Sequence, residues 1–266
     1  MKYKLEEYFC IYLDILGYSK RIENSRGDEL KSQLNNFLNY VVSENKYLDD
    51  LGKIIEYKIR IFSDNILIAL PATKDTVSDF HLVLSHIIDY QKTLIQSNYF
   101  IRGGISKGML YIDDHTIWGP ALIEAVKIEK STVYPFISIS KDIINLFSEN
   151  NLLSEVNEYL SIPIIKIIED RYFLDYLQTT IHFENSYPIT YYTFIQVHKG
   201  LVEYNLKNNK DESIRNKYLL LAKYHNEFCN FYKEKLAPMQ NYFIKDYFNT
   251  DVISTRKYLK FSMDDS

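Results

Sequence analysis

The chain alternates short, continuous apolar runs with longer stretches in which apolar residues recur every three or four positions. Continuous runs of this length predict buried strands, and the first half of the chain contains four of them: Tyr8–Leu16, Tyr57–Phe62, Ile66–Leu70 and Phe100–Ser106. Helical periodicity separates these runs, within Asp28–Asn45 and over about Thr76–Gln96. The order β-α-β-β-α-β predicts an α+β fold, with a ferredoxin-like sheet that carries two helices on one face.

The same pattern predicts finer features of these elements. In the first helix the buried face is expected to consist of apolar residues at helical spacing, with Phe37 beside them: Leu30, Leu34, Leu38 and Val41. After Gly108, the segment Met109–Ile112 is expected to turn back as a hairpin partner of the fourth strand. Extra elements are predicted further along, namely a helix, a strand, a short helix and a hairpin: Pro120–Lys130, Phe136–Ser140, Lys141–Phe147, and Ile164–Glu169 with Tyr172–Tyr176.

The last third of the chain has a different pattern, dominated by long helical stretches. We therefore expect one α+β domain over residues 1–177 and a helical extension over residues 178–266 that packs on it. The segment Lys217–Phe228 carries apolar residues on nearly every face, which indicates burial. Within it, His225 has no carboxylate or cysteine pattern nearby, so a packing histidine is favoured over a catalytic one.

Two aspartates interrupt apolar runs and are the first candidates for chemistry. Asp14 ends the first predicted strand, and Asp64 lies in the polar turn Ser63–Asn65 between two strands. A buried carboxylate is costly unless it is paired or binds a metal ion, and Mg²⁺ needs few carboxylates when substrate phosphates complete its coordination. The pair therefore predicts a metal site for a nucleotide. The alternative is that Asp14 caps the following helix and Asp64 only serves the turn.

Composition narrows the class of protein. The chain has 266 residues, 46% hydrophobic and 25% charged, with a net charge of -4, which gives no basic surface for nucleic acid. It contains no stretch that could span a membrane and begins without the pattern of a signal peptide, so a cytoplasmic protein with no membrane partner is expected. The two cysteines, Cys10 and Cys229, indicate neither a disulfide framework nor a zinc site.

Four segments in order resemble class III nucleotide cyclases, most closely the pyrimidine nucleotide cyclases of Pycsar antiphage systems. The segments are Asp-Ile-Leu-Gly, Phe-Ser-Asp, Arg-Gly-Gly-Ile and Gly-Pro-Ala-Leu-Ile-Glu-Ala, which begin at Asp14, Phe62, Arg102 and Gly119. The matching order covers about Tyr8–Leu177. The resemblance implies a cyclase core that converts a nucleoside triphosphate to a 3′,5′-cyclic nucleotide and pyrophosphate. The product would act on a separate effector protein in antiphage signalling.

The resemblance also implies roles for individual residues. Asp14, Asp64 and the carbonyl of Ile15 would hold two Mg²⁺ or Mn²⁺ ions, and Arg102 would bind phosphate, with Lys107 and Arg171 as further candidates. Arg102 as a surface arginine at a strand end is the alternative. Active sites in this family are shared between subunits, which implies a homodimer with two sites.

Base selection falls on two further positions. By the same resemblance, Arg60 and Thr116 stand where purine cyclases place their base-reading pair, and a donor beside a hydroxyl suits O4 and N3–H of uracil, which favours UTP over CTP. The alternative is that Arg60 is a strand residue in an ion pair and Thr116 a turn residue. One departure concerns the helix after Gly119, where Ile123 and Lys127 replace the transition-state Asn and Arg of purine cyclases. Lys127 retains a cation, whereas Ile123 donates no hydrogen bond. A catalytically silent, nucleotide-binding regulatory module is therefore the alternative function.

Overall fold

The structure is a computed structural model that describes residues 4–41, 46–48, 54–73, 76–149, 165–180, 188–237, 239 and 241–245. The strands are β1 Glu6–Ile15, β2 Lys46–Leu48, β3 Ile54–Glu56, β4 Lys58–Phe62, β5 Asn65–Pro71, β6 Ile101–Ile112, β7 Ile117–Trp118, β8 Ile137–Ile139, β9 Ile165–Ile168 and β10 Arg171–Leu174. The helices are α1 Tyr18–Asn24, α2 Gly27–Val41, α3 Thr76–Gln96, α4 Pro120–Lys130, α5 Lys141–Glu149, α6 Pro188–Asn208, α7 Glu212–Phe231 and α8 Lys233–Leu236. A 3₁₀ turn covers Gln178–Thr180.

The central sheet has the strand order β4-β5-β1-β6-β8-β10-β9, with β7 paired to β6, while β2 and β3 form a separate ribbon. Its first four strands, β4-β5-β1-β6, are antiparallel throughout, which is the ferredoxin-like order. Strand β8 then adds in parallel to β6 and extends the sheet. The prediction of an α+β fold with a ferredoxin-like core and extra strands is confirmed.

Two sequence-based predictions about these elements are wrong. Gly108 does not turn the chain, because β6 continues through it and pairs along β1, with Gly108 opposite Tyr8. A glycine is useful there for another reason: Ala121 of α4 lies over it, with its Cβ 3.7 Å from where a Gly108 Cβ would stand. The chain reverses later, and the short strand that pairs with β6 is Ile117–Trp118.

The buried face of α2 is also not the predicted one. Three of its predicted core positions are exposed: Leu30, Leu34 and Leu38. The helix contacts the core along Gln33 and Phe37, and the Phe37 ring packs 5.2 Å from that of Tyr18 and 6.3 Å from that of Tyr99. The wide aromatic side chain therefore sets the rotation of the helix. The side chain of Val41, the residue Ile164 and residues 246–266 of the predicted extension lie outside the described part of the chain.

The sheet separates two cores of unequal size. Alternate residues of β1 such as Phe9 and Ile11 face a large core shared with α3, α5, α6 and α7. The intervening residues, including Cys10, face a small core that they form with residues of β5 and β6 and with Ala121 and Ala125 of α4. Helix α4 packs over β1 and β6, and Asp14 belongs to its side of the sheet.

Gly104 allows α4 to approach this side. A Cβ on Gly104 would stand 2.3 Å from the Ala125 carbonyl oxygen and 2.9 Å from Ile128 Cβ, far inside van der Waals contact. Gly104→Ala should therefore destabilise the protein by about 2–3 kcal/mol, because strand or helix must shift. Gly108→Ala lies under the same helix with ordinary contact distances and is the matched control. Urea unfolding of both variants measures the difference, and equal stabilities would contradict this account of the packing.

The C-terminal helices share the large core rather than forming a core of their own. Phe194 and Val202 of α6 and Leu221 and Phe228 of α7 belong to the same buried cluster as the strands. The Tyr218 ring makes an edge contact with Phe100, 5.4 Å between centroids. Among the residues the structure describes, none of the helices combines the length and apolarity needed to cross a membrane.

His225 lies inside this layer in a buried hydrogen-bond chain, which confirms its prediction as a packing histidine. The Tyr242 carbonyl can only accept, so His225 Nε2 donates to it (2.7 Å) and His225 Nδ1 accepts from His198 Nδ1 (3.0 Å). His198 Nε2 then accepts from the Tyr176 hydroxyl (2.7 Å). Both imidazoles are neutral in this arrangement, since a proton on His225 Nδ1 would face the Nδ1–H of His198, and a proton on His198 Nε2 would face the Tyr176 hydroxyl that donates to it.

Acid should therefore weaken the fold through these histidines. Burial lowers the pKa of His225 from 6.5 to about 4 and that of His198 well below its ordinary value. Between pH 6.5 and 4 the unfolded chain binds more protons, so the free energy of unfolding falls as the pH decreases, by about 3 kcal/mol for His225 alone. Urea unfolding across this range should show a shallower slope for His225→Asn and an unchanged slope for the exposed control His115→Gln. Equal slopes in all three proteins would contradict the coupling.

Candidate active site

Asp14 ends β1 between two side chains that the sheet register fixes beside it. It pairs with Asn65 of β5 on one side and with Arg102 of β6 on the other. Directly paired residues of an antiparallel sheet project to the same face, so these three side chains form one row. Arg102 Nε donates to Asp14 Oδ2 (2.9 Å), and each side chain is 21% exposed. Asp14 is therefore a half-buried carboxylate with its position set by strand pairing.

Asp64 reaches the same place through the two-residue turn between β4 and β5. Ser63 takes a positive φ of 59°, as hairpin turns of this length require. The Ile15 N–H donates to the Asp64 carbonyl (2.9 Å), which ties the turn to the end of β1. Ser19 Oγ donates to Asp64 Oδ2 (2.8 Å), and Asn65 Nδ2 donates to Oδ1 (3.0 Å). The carboxylate is thus oriented by one side chain of α1 and one of β5.

Tyr12 lies among the acidic groups of this face. Its hydroxyl donates to Asn65 Oδ1. Burial raises the pKa of Tyr12, and the negative charges of Glu129, Asp14 and Asp64 raise it further. The phenol therefore stays neutral and fixes the Asn65 amide, while its surroundings show that three carboxylates converge on one region.

Glu129 is a site residue that the sequence analysis missed. It lies on α4 and is 2% exposed, with its Oε1 2.6 Å from Arg102 Nη2. The contact is an ion pair without hydrogen-bond alignment. Burial raises the pKa of Glu129, Arg102 opposes this, and Asp14 adds to it. The available signal was spacing: Ala121, Ala125 and Glu129 recur every four residues and are the buried positions of the helix.

Arg102 therefore joins two carboxylates, one from β1 and one from α4. Its Nε faces Asp14 and its Nη2 faces Glu129, so the guanidinium is oriented by both. In this arrangement Arg102 serves as the counter-ion of the site. A substrate phosphate would have to compete with Asp14 and Glu129 for it.

The donor atoms at the end of β1 fit a divalent cation that prefers oxygen ligands. Among the described residues only Arg102 donates to Asp14, and it uses Oδ2, which leaves Oδ1 available. The Ile15 carbonyl faces the Asp64 turn, because the N–H and C=O of a strand residue point to the same neighbour. No group of three or more acidic, histidine or cysteine side chains in the described residues could hold a metal unaided. Two carboxylates and a carbonyl suit Mg²⁺ or Mn²⁺ when phosphate oxygens complete the coordination.

Arg60 and Thr116 are brought together at one loop. Arg60 Nε donates to the Asp113 carbonyl (3.1 Å), and Nη2 lies 3.2 Å from Asp114 Oδ1. The Thr116 N–H donates to Asp113 Oδ1 (2.6 Å) within the same loop. Donation from the Tyr111 hydroxyl and from the loop amides lowers the pKa of Asp113 to about 2. The loop is thus organised around an ionised Asp113, with the guanidinium against its backbone.

The remaining predicted residues are not brought to Asp14 within one chain. Lys107 pairs with Phe9 on the opposite face of the sheet, and its Nζ contacts Glu7 (2.6 Å). Arg171 Nη1 donates to Ser131 Oγ (2.5 Å) in a groove beyond α4. Lys127 lies on the exposed side of α4, with its Nζ 3.9 Å from Glu124. Strand alternation explains Lys107, since a shift of one position moves a side chain to the other face.

The chain matches no protein-family model and no curated protein. Among solved structures it is similar to the adenylyl cyclase CyaB from P. aeruginosa, at 16% identity and a TM-score of 0.44, over 65% of this chain and 94% of that one. It is also similar to the monomeric guanylyl cyclase domain of the RhoGC fusion protein from the aquatic fungus Blastocladiella emersonii (16%, TM-score 0.42, 65% and 98%). A third is the guanylyl cyclase Cya2 (14%, TM-score 0.41, 65% and 92%). All three of these proteins are described as adenylyl or guanylyl cyclases.

Proposed function

We propose that the chain is a nucleotide cyclase that converts a pyrimidine nucleoside triphosphate to a 3′,5′-cyclic nucleotide and pyrophosphate. The observation that carries this proposal is the convergence of Asp14 and Asp64, from a strand end and a hairpin turn, beside the Arg102 guanidinium. Such a cluster of fixed carboxylates next to a cation suits a triphosphate with its metal ions. The resemblance of four sequence segments to Pycsar cyclases supports the further proposal of a second messenger in antiphage defence.

In this reaction the ribose 3′-oxygen forms a bond to the α-phosphorus, and the bond from that phosphorus to the bridging oxygen of pyrophosphate breaks. Mg²⁺ or Mn²⁺ ions, when bound, lower the pKa of the hydroxyl and neutralise phosphate charge. The protein's contribution is to position groups. Asp14 and Asp64 hold fixed orientations through Arg102 and Ser19, and phosphate oxygens would bind the guanidinium in exchange for part of its contact with the carboxylates.

The base preference is proposed from the loop that holds Arg60. The guanidinium donates only, and the Thr116 hydroxyl both donates and accepts, so the two suit a carbonyl oxygen beside a ring N–H. Uracil presents O4 and N3–H in this order, whereas cytosine presents an amino group beside an unprotonated nitrogen. We therefore favour UTP over CTP as the substrate.

A homodimer with shared sites is supported by the outer side of α4. Ile123 is 58% exposed there, Trp118 on β7 is exposed beside the start of the helix, and Lys127 projects from the same helix. On the partner subunit these side chains would face the open part of the Asp14 site. Mixing inactive Asp14→Asn and Lys127→Met proteins should restore turnover through heterodimers with one intact site, and unrestored activity would contradict a shared site.

A second candidate function is a catalytically silent, nucleotide-binding regulatory module. The observation that favours it is Ile123, an apolar side chain at the position where purine cyclases carry a hydrogen-bonding Asn. Such a module would bind a nucleoside triphosphate and leave it unchanged.

The deciding experiment is incubation of the purified protein with ATP, GTP, CTP and UTP separately, with Mg²⁺ or Mn²⁺, and analysis of the products by mass spectrometry. The proposal expects cyclic UMP as the main product. Nucleotide binding without any cyclic product would favour the silent module, and a cyclic purine nucleotide would contradict the base assignment.

Arg60→Met should change the ratio of cyclic UMP to the other cyclic nucleotides by about tenfold, since a charged hydrogen bond to the base is lost. Lys58→Met is the matched control, because Lys58 lies on the same strand and also donates to a backbone carbonyl, that of Ile112. Competition assays with all four nucleotides measure the ratio. An unchanged ratio in Arg60→Met would remove Arg60 from the base site.

A further inference from the structure

Helix α7 of the C-terminal extension begins directly against the turn that follows Asp14. Ile214 Cδ1 lies 3.5 Å from the position that a Cβ on Gly17 would take. Lys20 forms an ion pair with Asp211, the N-cap residue of the helix. One turn later, the Tyr218 ring contacts Phe100, whose carbonyl accepts from the Leu16 N–H (2.8 Å). The first turns of α7 are therefore held against the turn after β1 and against the residue that precedes β6.

Lys217 lies between Ile214 and Tyr218 in the sequence of α7. It is half-buried, whereas its neighbours Arg215 and Asn216 are exposed. It lines a groove with Val133, which follows the end of α4 and therefore lies close in the chain to Glu129. Lys217 thus lies in a groove between α7 and the segment that follows α4.

The charged side chains around Asp14 interact electrostatically with Lys217. It interacts electrostatically with Arg102, Asp14 and Glu129, and Glu129 in turn interacts with Lys217. Burial and Arg102 lower the pKa of Lys217, while the two carboxylates oppose this. The packing agrees with this, because Ile214 and Tyr218 on either side of Lys217 hold this part of α7 against the turn after Asp14 and against Phe100, two residues before Arg102.

Lys217 differs from Arg102 in being uncommitted. Arg102 contacts both Asp14 and Glu129, while in the described part of the chain no carboxylate oxygen lies within ion-pair distance of Lys217 Nζ. The cluster contains three carboxylates, Asp14, Asp64 and Glu129, against Arg102 and Lys217, and Lys130 of α4 also interacts with Glu129. A polyphosphate that enters with its metal ions would find in Lys217 a cation of the C-terminal extension that can bind without breaking an ion pair between described residues.

We propose that Lys217 binds phosphate oxygens of the nucleoside triphosphate, so that the helical extension supplies a residue of the active site. This inference rests on the proposed function of the same site. It makes Lys217 a phosphate-binding residue that acts on the β- and γ-phosphates and on the pyrophosphate product.

The test is the affinity of the full-length protein for inorganic pyrophosphate in Mg²⁺ buffer, measured by titration calorimetry. Lys217→Met should weaken binding about tenfold, and Lys217→Arg should retain most of it. Lys223→Met is the matched control, since Lys223 lines the same groove two turns further along and should bind as the wild type does. Unfolding midpoints of the three variants should stay close to that of the wild type, which a purely structural role of Lys217 would not predict.

The outcomes separate this inference from the proposed function. Loss of pyrophosphate binding in Lys217→Met, in a protein that forms no cyclic nucleotide, would support Lys217 and contradict the cyclase. Cyclic nucleotide formation with unchanged kcat and KM in Lys217→Met would contradict Lys217 and leave the cyclase standing. Equal pyrophosphate affinity of wild type and Lys217→Met, or no binding by either, would overturn the inference.

Discussion

Replacing Asp14 or Asp64 with Asn should reduce cyclic-nucleotide formation by at least about a thousandfold, which corresponds to about 4 kcal/mol of transition-state stabilisation. Asn keeps the shape and one acceptor oxygen, so Arg102 and Ser19 retain a partner, while the negative charge that favours a divalent cation is lost. Product formation from UTP, quantified by mass spectrometry, measures the effect.

Asp28→Asn is the matched control for both variants. Asp28 lies at the start of α2 in an exposed ion pair with Lys31, and its loss should leave turnover within about twofold of the wild type, since exposed pairs contribute little. Circular dichroism should show native secondary structure in all three proteins. Full activity in either Asp14→Asn or Asp64→Asn would contradict the assignment of the metal-binding carboxylates.

Arg102→Met should be the most destabilising charge change in the described site, by about 3–5 kcal/mol. The substitution leaves Glu129 buried without its cation and removes the partner of Asp14, and an uncompensated buried charge is far more costly than a missing pair. Urea unfolding at pH 7 measures the loss. Catalysis should fall as well, because Asp14 loses its orientation.

Glu129→Gln provides the comparison that isolates the charge. The glutamine keeps the volume of the side chain and an oxygen toward Arg102 but removes the negative charge. Burial already raises the pKa of the Glu129 carboxyl, so the change in stability should stay within about 1 kcal/mol. Adding Glu129→Gln to Arg102→Met should recover part of the lost stability, since no buried charge remains without a partner. A double variant no more stable than Arg102→Met would show that packing, and not charge, explains the loss.

The strand order of the fold was predictable because burial and periodicity act locally. The run Tyr8–Leu16 and the runs around Asp64 are continuous and apolar, and the structure has β1, β4 and β5 there. The predictions failed where a choice depends on distant partners. Gly108 looks like a turn residue in isolation, yet β1 pairs along β6 beyond it, and the rotation of α2 depends on Tyr18 and Tyr99 around Phe37.

The residues of the candidate site likewise include some that the sequence could identify and some that it could not. Asp14 and Asp64 were identifiable because each interrupts an apolar run, which is a signal within a few residues. Lys217 carries no such signal, since a charged residue on a helix looks like a solvated one until the neighbouring elements are in place, and Glu129 carries only its four-residue spacing from Ala121 and Ala125. Lys107 shows the converse: it lies five positions after Arg102, and on a continuous strand this odd offset places it on the other face of the sheet. The predicted strand ends at Ser106, so the alternation predicted from it does not reach Lys107.

The hydrogen bonds from Ile15 to Asp64 and from Leu16 to Phe100 attach the end of β1 that carries Asp14 to the residues just before β5 and β6. Their amides should exchange with solvent deuterium as slowly as those of the sheet interior, because opening them requires the β1 ladder to separate. Heat inactivation should then follow global unfolding instead of preceding it. Motions that accompany turnover would accordingly be confined to side chains and to the surface around the site.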